Sequence, residues 1–177
     1  FLFNTLNMIS CMARLEDAET TDKMIVSLGN LFRHNLRTKQ QEVTLEKELD
    51  GLEDYIYLQQ MRFDGRITVE KQILADPARA RLPSFTLQPV IENAFSHGLK
   101  ACEEGGRILL RVWRQGRMLY VTVADNGKGM TEEELAALSE KMRQSEQTGK
   151  SIGLGNIFRR VSMLYPDTGK MQVFSRA

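Results

Sequence analysis

The sequence predicts an α+β fold, a two-layer sandwich with helices on one face of a sheet, preceded by a helical hairpin. Apolar residues recur at helical spacing over residues 1 to about 40, 45–56 and 87–95. Alternating, β-branched runs stand at 67–73, 108–112 and 119–123. Helices and antiparallel hairpins in this order favour a sheet covered on one side by helices.

Leu2, Leu6, Ile9 and Ala13 share one face of a first helix, widened by Phe1, Phe3, Met8 and Met12. After Glu16-Asp17, Ile25, Leu28, Phe32 and Leu36 line up on a second, with Met24 and Leu31 alongside. Two helices cannot hide stripes this broad in each other. A homodimer through residues 1–40, its two hairpins forming a four-helix bundle, is therefore expected; the alternative is a hairpin packed on its own domain. Gly29 inside the second helix marks either a weak point or a close contact.

Lys39-Gln40-Gln41-Glu42 is polar and reads as a hinge, so a second domain is expected over 44–177. Thr44 is placed to cap a helix striped by Leu45, Leu49, Leu52 and Ile56, with Tyr55 beside them and Glu46 and Glu48 suiting its positive end. Ile67, Val69, Lys71 and Ile73 alternate as a half-buried strand. Pro77 and Pro83 bracket a turn region. Leu87, Val90, Ile91, Ala94 and Phe95 then mark a central helix, with Pro89 near its start and Gly98 near its end. Two strands, through Ile108-Leu110-Val112 and Leu119-Val121-Val123, join tightly around Gln115-Gly116. A short helix capped by Thr131 is expected from 131 to about 142, followed by a patternless polar lid over 144–151. A last helix, Leu154 to Leu164, and a last strand, Met171 to Phe174, complete the order.

Composition narrows the function. Twenty-four basic against 23 acidic residues leave no basic block, so nucleic acid has no electrostatic claim on the chain. Cys11 and Cys102 lack metal-type spacing and are expected buried and reduced. No apolar run approaches the roughly 20 residues that a bilayer span needs, so no membrane contact is expected of this segment. The chain begins and stops inside apolar stretches, as expected of a piece cut from a longer protein with its last strand interrupted; the missing span then says nothing of the parent.

A helix carrying the amide of Asn93, beside a strand that ends in Asp125-Asn126-Gly127-Lys128-Gly129, suggests a nucleotide site. An ionised carboxylate only accepts hydrogen bonds, and adenine offers an exocyclic amine where guanine shows a carbonyl, so Asp125 would select ATP over GTP. Gly127 and Gly129 would admit the purine without a Cβ clash. The plain alternative is an Asp-Asn-Gly turn with no ligand.

These motifs, with Phe1-Leu2-Phe3-Asn4-Thr5-Leu6-Asn7 and Gly153-Leu154-Gly155-Asn156, resemble the core of the two-component sensor histidine kinases of the LytS/YesM-like subfamily. Their ATP-binding domain has the Bergerat (GHKL) fold shared with gyrase, Hsp90 and MutL. The resemblance implies an ATP-dependent protein-histidine kinase that passes the γ-phosphoryl to a histidine and then to an aspartate of a response regulator. It implies that residues 1–40 are the dimerisation and phosphoacceptor region, with the acceptor histidine just before Phe1. It implies the cytoplasmic portion of a bacterial membrane sensor.

By the same resemblance, Asn93 would hold the Mg²⁺ that bridges the ATP phosphates, and Asn4, one turn after the acceptor, would orient water for dephosphorylation. Glu92 would be the general base, against a surface or capping role. His97 would lie over the sugar and phosphates, against an ordinary helix-end histidine. Ser96 stands where the subfamily has Lys, so a phosphate contact is lost or supplied by Lys100 or Lys128. Gly153, Leu154 and Asn156 match the second glycine box, whose backbone N–H groups cradle phosphate; Ser151 replaces its first glycine, with Gly149 offering flexibility. Arg160 matches a recurring arginine or is an exposed ion-pairing side chain. His34 is expected to be structural. Two other functions stay open: a dimerising module that binds nucleotide without transfer, and a self-contained ATPase.

Overall fold

The computed structural model of the chain describes residues 1–37, 40–100, 102–148 and 153–176. The hairpin is α1 (Leu2–Leu15) and α2 (Glu19–Arg37). Its internal contact is made by small residues: Ser10, Ala13, Ser27 and Gly29 are buried, joined by Leu31, and Ser10 donates to Asp22 across the turn. The broad stripe expected to be covered is largely open, with Leu2, Met8, Ile9 and Met12 exposed on α1 and Leu36 on α2. Cys11 is exposed on α1 and Cys102 is half-buried, which corrects the expectation that both thiols are buried. Cys11 follows Ser10 on the helix and so points away from the α1–α2 seam.

α2 also docks on the second domain. Asn30 donates to Asp54 at 3.5 Å, Lys23 lies 4.3 Å over the Tyr57 ring, and His34 meets the Phe85 ring edge-on at 5.9 Å. Of the two arrangements expected for the hairpin, packing on its own domain is the one seen in the single chain. That packing runs through α2 and leaves an apolar α1 face uncovered.

Of the polar hinge, Lys39 lies outside the described residues and Glu42 is no hinge. Glu42–Thr44 forms β1, antiparallel to β3 (Arg81–Pro83) in a two-stranded sheet. The Tyr165 hydroxyl donates to the Glu42 carboxylate, which fastens β1 further. β3 was read as a turn because three residues are too few to show a period.

α3 (Leu45–Arg62) begins at Thr44, whose hydroxyl accepts from Lys47 N at 3.4 Å. The apolar stripe of α3 is buried, from Leu45 at 0% to Ile56 at 5% exposure. It packs on a three-stranded sheet of order β2-β4-β5, with β2 Ile67–Ile73, β4 Gly106–Gln115 and β5 Met118–Asp125. β4 and β5 form the expected tight hairpin, Gln115 opposite Met118. β2 and β4 run parallel, which a tight hairpin cannot achieve; the connection between them carries the central helix across the sheet. Ile108, Leu110 and Val112 face the helices, and Lys71 on that face pairs with Glu53 of α3. Trp113 and Tyr120 stack on the outer face with ring centroids 5.2 Å apart.

The central helix is regular only over α4, Leu87–Asn93; residues Ala94–Gly98 widen into a π-helical turn. α5 (Glu132–Thr148) starts with a reciprocal box, Thr131 N donating to the Glu134 carboxylate at 2.9 Å and Glu134 N to Thr131 Oγ1 at 3.2 Å. It runs past residue 142, so the start of the expected lid is helical, and residues 149–152, with Gly149 and Ser151, lie outside the described residues. α6 (Leu154–Leu164) is as expected. Met171–Phe174 is not a strand: it finds no ladder partner among the described residues, and Phe174 is 83% exposed. Alternating apolar residues give strand propensity, yet a strand exists only where a neighbour takes its hydrogen bonds.

Candidate functional site

Two helix ends build one cavity. Pro89, Glu92, Asn93, Ser96 and His97 come from α4 and its π-helical continuation; Gly153, Asn156 and Arg160 come from the start of α6. The cavity measures about 320 Å³, at the low end of small-molecule pockets. Four residues singled out from two distant sequence motifs, Asn93 and His97 with Gly153 and Asn156, therefore share one wall-to-wall space. A β-carbon at Gly153 would lie 4.0 Å from Asn93 Nδ2, and Gly153 holds φ +69, a left-handed backbone that favours glycine.

Asn93 has a defined orientation. Its Nδ2 donates to the Pro89 carbonyl at 2.8 Å, so Oδ1 is the atom of this amide able to ligate a hard cation. Ser96 Oγ donates to the Glu92 carbonyl at 2.6 Å and presents no charge to the cavity. Glu92 is exposed at its rim. Burial pushes the Tyr55 phenol of α3 well above its ordinary range, and the Glu92 carboxylate adds to that push, so the two stand close.

Asp125, Gly127 and Lys128 reach the same helix at its other end. The Asp125 carboxylate accepts from Gly127 N at 2.9 Å and lies against Gly98, whose β-carbon would come within 2.8 Å of Asp125 Cγ. Lys128 N donates to the Gly98 carbonyl at 3.2 Å. Only a residue without a side chain permits that approach, and the π-helical turn ends at this contact; such widened turns recur at functional sites. Asn126 ties the loop down from behind, accepting from Arg107 N at 2.7 Å and donating to the Gly105 carbonyl at 3.0 Å. Gly129 follows at φ +68. Asn93 and Gly98, the residue that Asp125 of β5 touches, thus stand five residues apart on one helix.

Other expected residues fall outside the cavity lining. Leu154 opens α6 beside Gly153. Lys100 is exposed in the turn after Leu99, and neither it nor Lys128 lines the cavity. Asn4 is exposed on α1. From the sequence, Pro89 and Gly98 mark only the start and end of the central helix; their place at the site, and the anchoring role of Asn126, come from contacts between distant segments. Arg160 is half-buried and makes no ion pair among the described residues: it lines the cavity and donates to the Ser84 carbonyl. A larger open depression of about 740 Å³ lies beside β2 and β4. It holds none of these motif residues, and its Arg66 and Arg107 are offset by Glu70 and Glu104, so it is not the candidate site.

Comparison with known proteins matches both parts. The family model for histidine kinase covers residues 1–67, and that for histidine kinase-, DNA gyrase B-, and HSP90-like ATPase covers residues 84–176. The chain is 34% identical over 166 residues to the sensor histidine kinase YpdA of Escherichia coli K12, covering 93% of this chain and 28% of that protein. It is 32% identical over 176 residues to the sensor protein LytS of Bacillus subtilis 168, covering 99% of this chain and 29% of that protein. To the sensor histidine kinase BtsS of E. coli K12 it is 35% identical over 126 residues, 71% of this chain and 22% of that protein. The chain thus spans under a third of the length of these relatives.

Proposed function

Because this chain belongs to the histidine kinases, with an ATPase domain of the class shared with DNA gyrase B and HSP90, we propose that it is the ATP-dependent phosphotransfer core of a sensor kinase. The observation that carries the reading is the cavity in which Asn93 meets Gly153 and Asn156, with Asp125 held at the far end of the same helix. The adenine amine donates to the Asp125 carboxylate, and the triphosphate runs along the helix towards α6. Backbone N–H groups at Gly153, Leu154 and the start of α6 suit phosphate oxygens, as helix N-termini do. Asn93 Oδ1 would hold Mg²⁺, which would supply positive charge to offset that of the phosphates. His97 covers the sugar and phosphates, whereas Lys100, in the turn beyond Gly98, stands at the adenine end and outside the cavity lining.

Phosphoryl transfer then depends on position and charge more than on covalent chemistry. The acceptor is a histidine immediately before Phe1, Glu92 at the cavity rim is its general base, and Asn4, one turn on, orients the water that hydrolyses the phosphohistidine to histidine and phosphate. The phosphoryl group passes onward to an aspartate of a response regulator. Residues 1–40 pair two copies through the uncovered α1 face, where Met8 is 63% and Met12 51% exposed. No helix among the described residues is long and apolar enough to cross a membrane; we assign the chain to the cytoplasmic portion of a bacterial membrane sensor.

Calorimetry with Mg²⁺-ATP tests the nucleotide site directly. Asp125→Asn, which offers the adenine amine a donor where an acceptor stood, is expected to weaken binding about 100-fold, the loss of a charge-assisted hydrogen bond. A longer chain that includes the residue before Phe1 should take up acid-labile, base-stable label from γ-labelled ATP. Binding without label would mean a nucleotide-sensing dimerisation module, and steady phosphate release without label a self-contained ATPase.

A further inference from the structure

The helix that bears Asn93 is not capped by its own sequence. Thr86 occupies the cap position, but its hydroxyl turns back to donate to the Pro83 carbonyl at 2.6 Å. The cap comes from α3. Glu48 is 4% exposed, and its carboxylate accepts from three consecutive amides, Phe85 N at 2.7 Å, Thr86 N at 2.9 Å and Leu87 N at 3.0 Å. Such an arrangement satisfies the orphan N–H groups of a helix start from outside. It also holds Phe85 at φ +56, a left-handed backbone costly for an aromatic residue and kept only where its surroundings impose it.

The same turn is gripped from the opposite side by α6. Arg160 donates to the carbonyl of Ser84, the residue just before Phe85, and Ser84 is itself 5% exposed. Burial draws the Arg160 guanidinium below its ordinary range while the Glu48 carboxylate draws it back, so the two charges sense each other across the turn. Arg160 also lines the cavity.

We infer that Glu48 and Arg160 are positioning residues for the phosphate half of the nucleotide site: they clamp the Ser84–Leu87 turn, and so set the α4 wall that carries Asn93 against the α6 wall that carries Gly153 and Asn156. The inference rests on the nucleotide reading given above. It predicts an asymmetry along the helix. The adenine end is secured separately, by the contact of Asp125, Gly127 and Lys128 with Gly98. Loosening the clamp should therefore displace Asn93 and leave the adenine end in place.

Glu48→Gln is the first test, because the amide keeps the shape but turns a donor towards N–H groups that need acceptors. Affinities for Mg²⁺-ATP and for adenosine are measured by calorimetry at a temperature where each chain is fully folded by circular dichroism. Mg²⁺-ATP binding is expected to weaken about tenfold, while adenosine changes less than about twofold, because only the phosphate half moves. A residue needed for folding alone would lower both in parallel, and that result, or unaltered Mg²⁺-ATP binding, overturns the clamp.

Arg160→Gln, on the half-buried face of α6, gives a second reading should Glu48→Gln fail to fold. The clamp requires a loss confined to Mg²⁺-ATP that is partly restored in Arg160→Lys, which can still donate to the Ser84 carbonyl; equal binding by Arg160→Gln and the unaltered chain refutes it. Where both single variants fold, the double variant should lose no more than the larger single loss, since the two side chains hold one turn; additive losses would mean that Arg160 simply touches phosphate. Failure of the unaltered chain to bind Mg²⁺-ATP would remove the nucleotide reading and the clamp together, whereas normal binding by that chain beside insensitive variants removes the clamp alone.

Discussion

α1 and α3 each carry an apolar stripe, and the two stripes meet different fates. On α3, Leu45, Leu52 and Ile56 are at most 5% exposed, sealed against the sheet and α4. On α1, Leu2, Met8, Ile9, Met12 and Leu15 are between 44% and 74% exposed. The difference shows that a stripe in the sequence measures the demand for burial and not its supply. α3 satisfies that demand within the chain; α1 turns its small residues to α2 and keeps its large ones outward. An uncovered face of this size on a folded chain marks an interaction surface, which is why the proposed dimer is placed on α1 and not on the domain.

The largest effect should come from the sealed stripe. Leu52→Ala, at 1% exposure among Ile56, Phe95 and Ile91, is expected to cost about 3 kcal/mol in denaturant unfolding and to leave the α1-mediated dimer constant alone once the chain is folded. Met12→Glu should show the converse. Monomer stability changes by less than about 0.5 kcal/mol, as for surface sites generally, but the dimer dissociation constant in sedimentation rises about 100-fold, from lost apolar burial and a buried charge. A Met12→Glu chain that dimerises normally would show that the α1 face is not the interface, and the comparison would fail at its central point.

Much of this contrast was legible in the residues. Helices with a clear period, the Thr44 and Thr131 caps and the β4–β5 turn were each readable from a few side chains acting locally. Asn93 stands out because an amide within a helix needs a partner, whereas Asp125 and Gly153 are ordinary turn residues that gain weight only from the order of the motifs and their resemblance to the family. What stayed hidden depends on contacts between distant segments. The parallel pairing of β2 with β4, the β1–β3 ladder and the absence of a ladder for Met171–Phe174 all depend on which neighbour is available, and periodicity does not record that. Glu48 is the instructive case. It was read as a charge suited to its own helix start, yet it sits three residues after Leu45 and four before Leu52, on the apolar stripe itself. A carboxylate at a core position signals a distant donor set, here the turn that begins α4.

Alkaline pH should separate the two regions again. Burial raises the phenols of Tyr55 and Tyr165 well above their ordinary value of 10.0, with the Glu42 carboxylate adding to the shift at Tyr165. A group whose folded pKa lies above its unfolded pKa contributes stability that is full below the unfolded value and is lost as pH rises beyond it. Residues 1–40 contain no tyrosine, so this loss falls on the second domain. Unfolding midpoints should decline above about pH 10. Tyr165→Phe should cost about 1 kcal/mol at neutral pH through the lost bond to Glu42, and should flatten part of that alkaline decline. An equally steep decline in the variant would place the sensitivity elsewhere.

Gly29 gives the smallest effect and the finest cut between the two kinds of helix face. It lies inside α2, buried, and a β-carbon there would stand 3.6 Å from Arg33 Nη2 and 3.9 Å from Leu6 Cδ1, both ordinary contacts. Neither a positive φ nor a clash within the hairpin calls for glycine. Gly29→Ala should then stabilise the chain by up to about 1 kcal/mol, through helix propensity and a less flexible unfolded state. If Gly29 served instead as the close-approach point for a second copy, the same methyl group would weaken the dimer while the isolated hairpin–domain unit gained stability. Measuring thermal unfolding and dimer dissociation on one Gly29→Ala sample decides between them: a gain in both places the partner on the α1 face alone, and a gain in the first with a loss in the second extends the interface onto α2.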